Sequence, residues 1–190
     1  MSEPVLPLGG ASYSGLVTVS EHGPIGRVTV RGDLSSDAMK TAIKDVMGAD
    51  VPGQRKVSGD GDKCVIWMSP DELLLICGYA EAGGVVDALN EKLAGEHMLA
   101  VNVSDARAAF RLKGAHVRDV LGKLAPVDLD PAVFGIGEVR RTRLAQVAAG
   151  FWLLDQETAQ IFCFRSVSEY MFNLLKTVSD PQSAVGYYTA

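Results

Sequence analysis

Two sets of charged residues are the first places in this chain where residue type and spacing suggest a ligand. In Arg140-Arg141-Thr142-Arg143-Leu144, Arg141 and Arg143 are two positions apart, so on a strand they share a face while Arg140 points away. Paired planar guanidinium forks suit a carboxylate or another anion. The plainer reading is a solvated strand face or an interfacial ion pair. In Ser104-Asp105-Ala106-Arg107, Asp105 and Arg107 stand where an apolar strand begins. Both are candidate ligand contacts, and turn capping explains Asp105 equally well.

Groups able to make or break bonds are harder to find. His22, His97 and His116 are far apart, and none has a Cys or Glu at metal-ligand spacing. His116 precedes a predicted helix, where a capping or surface role suffices. Asp60-Gly61-Asp62 begins like a calcium loop, but no ligand ladder or closing Glu follows, so it reads as a solvated turn. Ser104-Asp105 lacks a nucleophile elbow. Gly32, Gly59-Asp60-Gly61 and Gly135-Ile136-Gly137 have neither the spacing nor the strand–turn–helix setting of a dinucleotide loop. The expectation is therefore no catalytic residue, no metal ligand and no cofactor bound by this chain itself.

Composition narrows the partners. The chain has 190 residues, 47% of them hydrophobic, with a net charge of -5. That length buries a core in one compact domain or two small halves. The negative charge, without a basic stripe carrying interleaved aromatics, argues against nucleic acid. No apolar run approaches the ~20 residues of a spanning helix, and the N-terminus lacks the basic and apolar regions of a signal peptide. Cys64, Cys77 and Cys163 are odd in number and lie in apolar strand-like runs, which reads as buried free thiols in a reducing, cytoplasmic setting.

The elements that must position these residues come in two similar series. Val65-Ile66-Trp67-Met68, a polar turn, and Leu73-Leu74-Leu75-Ile76-Cys77 precede a helical stretch to Ala94. Phe151-Trp152-Leu153-Leu154, a polar turn, and Ala159-Gln160-Ile161-Phe162-Cys163 precede another to Val178. The two tryptophans occupy one slot, and the match runs at constant offset to Leu89 and Leu174. Upstream, Arg27–Arg31 alternates as a strand ended by Gly32; Ser35, Ser36 or Asp37 caps a helix that Gly48 stops. Asp50 to Lys63 reads as a loop. In the second series Ala109–Lys113 is a strand ended by Gly114, a helix follows to Pro126, Asp128 to Gly137 is a loop, and Arg141–Val147 is a strand. Ser166 and Glu169 form a capping box. Phe110, Phe151, Phe162 and Phe164 are expected between sheet and helices.

Each half thus reads strand, helix, strand, strand, helix. The fold class is α+β, a pseudo-duplicated fold with largely antiparallel sheets; such a duplication places a cleft or a shared sheet at its pseudo-twofold. The expected organisation is an N-terminal arm over 1–26, one domain over 27–178 with halves of about 27–95 and 100–178, and a polar tail over 179–190. The arm carries a strand at Leu16-Val17-Thr18-Val19.

Val101-Asn102-Val103-Ser104-Asp105-Ala106-Arg107, followed by Ala108-Ala109-Phe110-Arg111-Leu112-Lys113-Gly114 and Leu121-Gly122-Lys123-Leu124, resembles the folate-binding domain of the glycine-cleavage aminomethyltransferase superfamily. Within it the chain looks most like the gamma subunits of heterotetrameric sarcosine oxidase. Further matching stretches are Trp67-Met68-Ser69-Pro70-Asp71-Glu72-Leu73-Leu74-Leu75, Leu129-Asp130-Pro131-Ala132-Val133-Phe134 with Gly137, and Arg143-Leu144-Ala145. The resemblance covers roughly residues 27–178.

The resemblance implies a folate-binding-domain-like fold in a non-catalytic, structural subunit beside alpha, beta and delta subunits. That complex demethylates sarcosine oxidatively to glycine, linking sarcosine catabolism to one-carbon metabolism. FAD, FMN, NAD and tetrahydrofolate are expected in the partner subunits. On that reading the arm and tail order only against partner chains. The alternative is a free-standing tetrahydrofolate-binding module or an aminomethyltransferase-like enzyme.

Overall fold

A computed structural model describes residues 4–189, so the first three residues of the arm and Ala190 of the tail lie outside the described residues. Its elements, in order, are β1 Ser12–Ser14, β2 Thr18–Glu21, β3 Ile25–Arg31, α1 Asp37–Met47, β4 Val57–Asp60, β5 Lys63–Ser69, β6 Glu72–Gly78, α2 Ala82–Lys92, β7 Leu99–Asn102, β8 Arg107–Lys113, α3 Val117–Gly122, β9 Val139–Leu144, β10 Val147–Asp155, β11 Thr158–Phe164 and α4 Ser168–Val178. The strands pair antiparallel in two separate sheets, β1-β2-β8-β11-β10-β9 and β4-β5-β6-β3-β7. The chain divides into two compact units: one holds 24–104, the other 1–23 with 105–190.

The α+β duplication is present, and its register can be read from equivalent bonds. Gly32 N–H donates to Asp71 O at 3.1 Å, as Gly114 N–H does to Glu157 O at 2.8 Å. His22 N–H donates to Ala109 O at 2.9 Å, as Val103 N–H does to Arg27 O at 2.8 Å. By strand pairing, β2, β8, β9, β10 and β11 correspond to β7, β3, β4, β5 and β6. The first strand of each repeat is exchanged: β2 pairs with β8, and β7 pairs with β3.

The tryptophans do not share a slot. Both hairpins carry a register shift next to the turn, between Trp67 and Ser69 in one and between Leu153 and Asp155 in the other. Aligning the shifts sets the repeat at 86 residues: Glu72–Gly78 falls on Thr158–Phe164, and Ala82–Lys92 on Ser168–Val178. Leu89 then matches Leu175, not Leu174, and both are fully buried. A one-residue slip exchanges the faces of a strand. Trp67 opposes Leu73 of the helix-facing core, whereas Trp152 opposes Gln160 on the other face.

Local chemistry explains most boundaries. Ser36 caps α1 by accepting from Met39 N–H at 3.1 Å, and Gly48 closes it with φ 71°. Three expectations change. The loop over 50–63 contains β4, a short glycine-bearing edge strand paired with β5. The single strand Arg141–Val147 is β9, a turn and the start of β10; Ala145 at φ 50° makes the corner without the Asn-Gly that signals such hairpins. The capping box at Ser166 is not formed: a 3-10 turn over Arg165–Val167 leads into α4, whose N-cap Val167 has no side-chain bond.

In the unit holding 105–190, α3 and α4 cover one face of the six-stranded sheet. Val19, Phe110, Leu112, Phe151, Leu153 and Ile161 meet Val117, Val120, Leu121, Met171 and Leu175 there. Phe134 packs edge-on against Phe151, ring centroids 5.5 Å apart, which adds roughly 0.5–1.5 kcal/mol beyond area burial. Phe162 and Phe164 lie on the opposite face, and Phe164 is 52% exposed. In the other unit Val28, Val30, Leu73, Leu75 and Val65 face Ile43, Met47, Val85 and Leu89 of α1 and α2.

Both terminal segments are bonded into their own chain. Leu8 N–H and Gly10 N–H donate to the Glu21 carboxylate, and Arg165 donates to Val5 O at 2.7 Å. The strand of the first segment is Thr18–Glu21, with β1 added outside it. Lys123 Nζ donates to Val178 O and Ser183 Oγ, and Leu16 N–H to Ser179 O at 2.7 Å. These bonds supply order to arm and tail without a partner chain.

Candidate functional site

The sequence candidates fall mostly on the sheet face turned away from α3 and α4. Core residues Ala108, Phe110 and Leu112 alternate along β8 with Arg107, Ala109, Arg111 and Lys113, so the latter share that second face. Cross-strand pairing continues the face as two rows. One runs Ala109, Phe162, Gly150, Arg141. The other runs Ser20, Arg111, Gln160, Trp152, Val139. Arg143 lies on the same face opposite Ala148, while Arg140 points into the core side and lies 4.7 Å from the Phe134 ring centroid. Arg107, Arg141 and Arg143 are thus brought onto one face. Asp105 is in the 3-10 turn Ser104–Ala106 before β8 and is exposed. Asp105, Arg107 and Arg141 each already have an interaction partner.

Arg111 is the best-defined polar centre. Its Nε donates to Gln160 Oε1 at 3.2 Å and its Nη2 to His22 Nε2 at 2.9 Å. A guanidinium only donates, so His22 Nε2 accepts and the neutral ring carries its proton on Nδ1. Gln160 is 3% exposed; with its oxygen committed to Arg111, its Nε2 has no hydrogen-bond partner among the described residues. Arg107 lies 5.4 Å from the Phe162 ring centroid and 5.2 Å from that of Phe164. Such contacts contribute about 0.5–1 kcal/mol at a partly exposed site. Gly150 is required here: a Cβ would overlap the Phe162 ring.

The duplicate unit shows what is special about this row. At the matching positions it has Val101, Thr29, Leu74, Ile66 and Val57. Leucine stands where Gln160 is, and threonine where Arg111 is. Arg111, Gln160 and His22 were not candidates from sequence. The available signal was one amide among the apolar residues of Thr158–Phe164, legible only once the repeat is set at 86 residues.

This arrangement donates hydrogen bonds and stacks rings; it has no carboxylate pair and no activated nucleophile. Burial pushes the Cys64 thiol up to about 12, so it is held as an unreactive thiol. Cys64, Cys77 and Cys163 are all buried, and none is in a disulfide. Among the described residues no group of three His, Cys, Asp or Glu could hold a metal ion, and no helix is long and apolar enough to cross a membrane. The strand-to-helix connections, after β3 through Gly32 and after β8 through Gly114, are short and lack a phosphate-binding glycine run. These residues do not fit a dinucleotide. A depression of about 360 Å³ over α1 and α2 is lined by Asp37, Thr41, Asp45 and Lys92, with Lys92 Nζ 2.8 Å from Asp45 Oδ2. That half-exposed ion pair contributes about 0–1 kcal/mol.

Comparison with known proteins places the chain. No curated protein sequence matches it. Heterotetrameric sarcosine oxidase from Corynebacterium sp. U-96, solved with pyrrole 2-carboxylate, contains a chain 26% identical, with TM-score 0.82, matched over 92% of this chain and 90% of that one. Aminomethyltransferase T of the glycine cleavage system from Bartonella henselae matches at 10% identity and TM-score 0.57, over 82% of this chain and 44% of its own. The regulatory subunit of aspartate kinase from Thermus thermophilus matches at 11% and 0.52, over 88% and 98%. The last two show the fold alone. The family model described as "Sarcosine oxidase, gamma subunit family" matches residues 31–181. The chain belongs to the sarcosine oxidase gamma subunit family.

Proposed function

We propose that this chain is a non-catalytic, structural subunit of a heterotetrameric sarcosine oxidase, assembled with alpha, beta and delta subunits that demethylate sarcosine to glycine. The observation that carries the reading is the likeness, at TM-score 0.82 over 92% of this chain, to a chain of the heterotetrameric enzyme. The polar row around Arg111 accords with it, being built of hydrogen bonds and ring contacts made within the chain. FAD, FMN, NAD and tetrahydrofolate belong, on this reading, to the partner subunits, and the assembly acts in the cytoplasm.

The test is co-expression of the tagged chain with the three larger-complex genes. The expected result is co-purification of all four chains, with flavin absorbance in the assembly and none in this chain purified alone. Recovery of the chain by itself, beside soluble partners, contradicts the proposal.

A further inference from the structure

The two units differ at one edge. In the six-stranded sheet β2 is flanked on its outer side by β1: Tyr13 opposes Val19, and Glu21 N–H donates to Ala11 O at 2.8 Å. In the five-stranded sheet the matching strand is β7, and it is the last strand. Val103 N–H donates inward to Arg27 O, so alternation turns the backbone groups of Leu99 and Val101 toward β3 and those of Ala100 and Asn102 outward. Among the described residues no backbone hydrogen bond reaches those outward groups.

The side chains agree with the backbone. Leu99 is 53% exposed and Val101 39%, at the positions where β2 carries Thr18 and Ser20. Edge strands that end in solvent are ordinarily guarded by lysine, proline or a bulge. Leu99-Ala100-Val101-Asn102 is guarded by its shortness alone: it carries no charged residue, proline or bulge.

We propose that the outer edge of β7 receives an extended segment of another subunit of the oxidase assembly, which adds a sixth strand to this sheet. The inference rests on the proposed function. β1 on β2 shows the fit: a three-residue antiparallel strand whose middle residue opposes Val19. It also fixes the occupant's chemistry. Where β1 sets Ser14 and Ser12 beside Thr18 and Ser20, the incoming strand sets apolar side chains beside Leu99 and Val101. The residue between them opposes Ala100, on the side facing α2. An unlike chain is favoured over a second copy. The solved relative is heterotetrameric, and a pair of four-residue strands alone buries too little area for a stable dimer.

Hydrogen–deuterium exchange with residue-level fragmentation tests this on the isolated chain and on the assembly. The Ala100 and Asn102 amides are expected to exchange at least about tenfold more slowly in the assembly. Val101→Lys is expected to leave the thermal midpoint of the isolated chain unchanged while lowering recovery with partners at least about tenfold. Unchanged exchange at both amides in an assembly that forms overturns the inference and leaves the subunit reading intact. Failure of any assembly to form overturns both. Slowed exchange in the isolated chain, with a dimer by mass, overturns it in favour of a second copy.

Discussion

Arg118 and Asp119 are consecutive, oppositely charged and more than nine-tenths buried, yet no ion pair joins them. Arg118 directs its charge at main chain; Asp119 shares its carboxylate between main chain on Oδ1 and the His116 and Thr189 side chains on Oδ2. Arg118 Nη1 donates to Leu129 O at 2.6 Å and Phe134 O at 2.9 Å, pinning the loop over 128–137. Asp119 Oδ1 accepts from Tyr187 N–H at 3.0 Å and Tyr188 N–H at 3.1 Å, pinning the tail. One short helix, α3, thereby organises two segments that periodicity leaves unassigned.

Removing either partner should therefore act on one segment. Asp119→Ala is expected to cost about 1–3 kcal/mol and to release the tail. Chymotrypsin should then cut at Tyr187 or Tyr188 while the rest of the chain resists. Arg118→Met leaves two buried carbonyls unpaired and is expected to cost roughly 2–4 kcal/mol, read from urea midpoints.

Acid should loosen the same contact. Burial pushes the Asp119 carboxyl up, but hydrogen bonds from Tyr188 N–H, His116, Thr189 and Tyr187 N–H outweigh it and hold the group below its ordinary value. A carboxyl lowered on folding binds fewer protons in the folded state. Its contribution is present above about pH 4 and is lost as pH falls through the folded-state value. Exchange of the Tyr187 and Tyr188 amides should accelerate over that acid range, and the acceleration should be absent in Asp119→Asn.

The thiols should be silent. Burial raises Cys64 to about 12 and Cys77 upward, and Cys163 is 1% exposed. A disulfide reagent at pH 8 should label none of the three in the native chain over minutes and all three in denaturant. Rapid native labelling of Cys64 would contradict its burial.

Gly150 should tolerate no side chain. Gly150→Ala drives a methyl into the Phe162 ring and is expected to cost about 1–3 kcal/mol by denaturant titration. Adding Phe162→Leu should recover part of that loss, because the obstacle is the ring rather than backbone.

Much of this architecture was legible in the sequence, for identifiable reasons. Ser36 and Gly48 bracket α1 because their side-chain oxygen and left-handed φ are local properties. Arg141 and Arg143 share a face because a strand has period two. The failures came where tertiary structure overrides local signals. Relative to the register shift that both hairpins share, Trp67 and Trp152 stand one residue apart, and Ala145 turns a hairpin without a turn dipeptide. The exchange of β2 and β7 between repeats leaves no trace in periodicity, since an exchanged strand has the same alternation as a local one. Gln160 and His22 became visible only when pairing set them beside Arg111.

The most direct test is the native mass of the complex purified through a tag on this chain. The expected result is a four-chain assembly with one copy of this chain, whose dissociation releases it without flavin mass. A stable monomer beside expressed partners, or a flavin adduct on this chain alone, would contradict it.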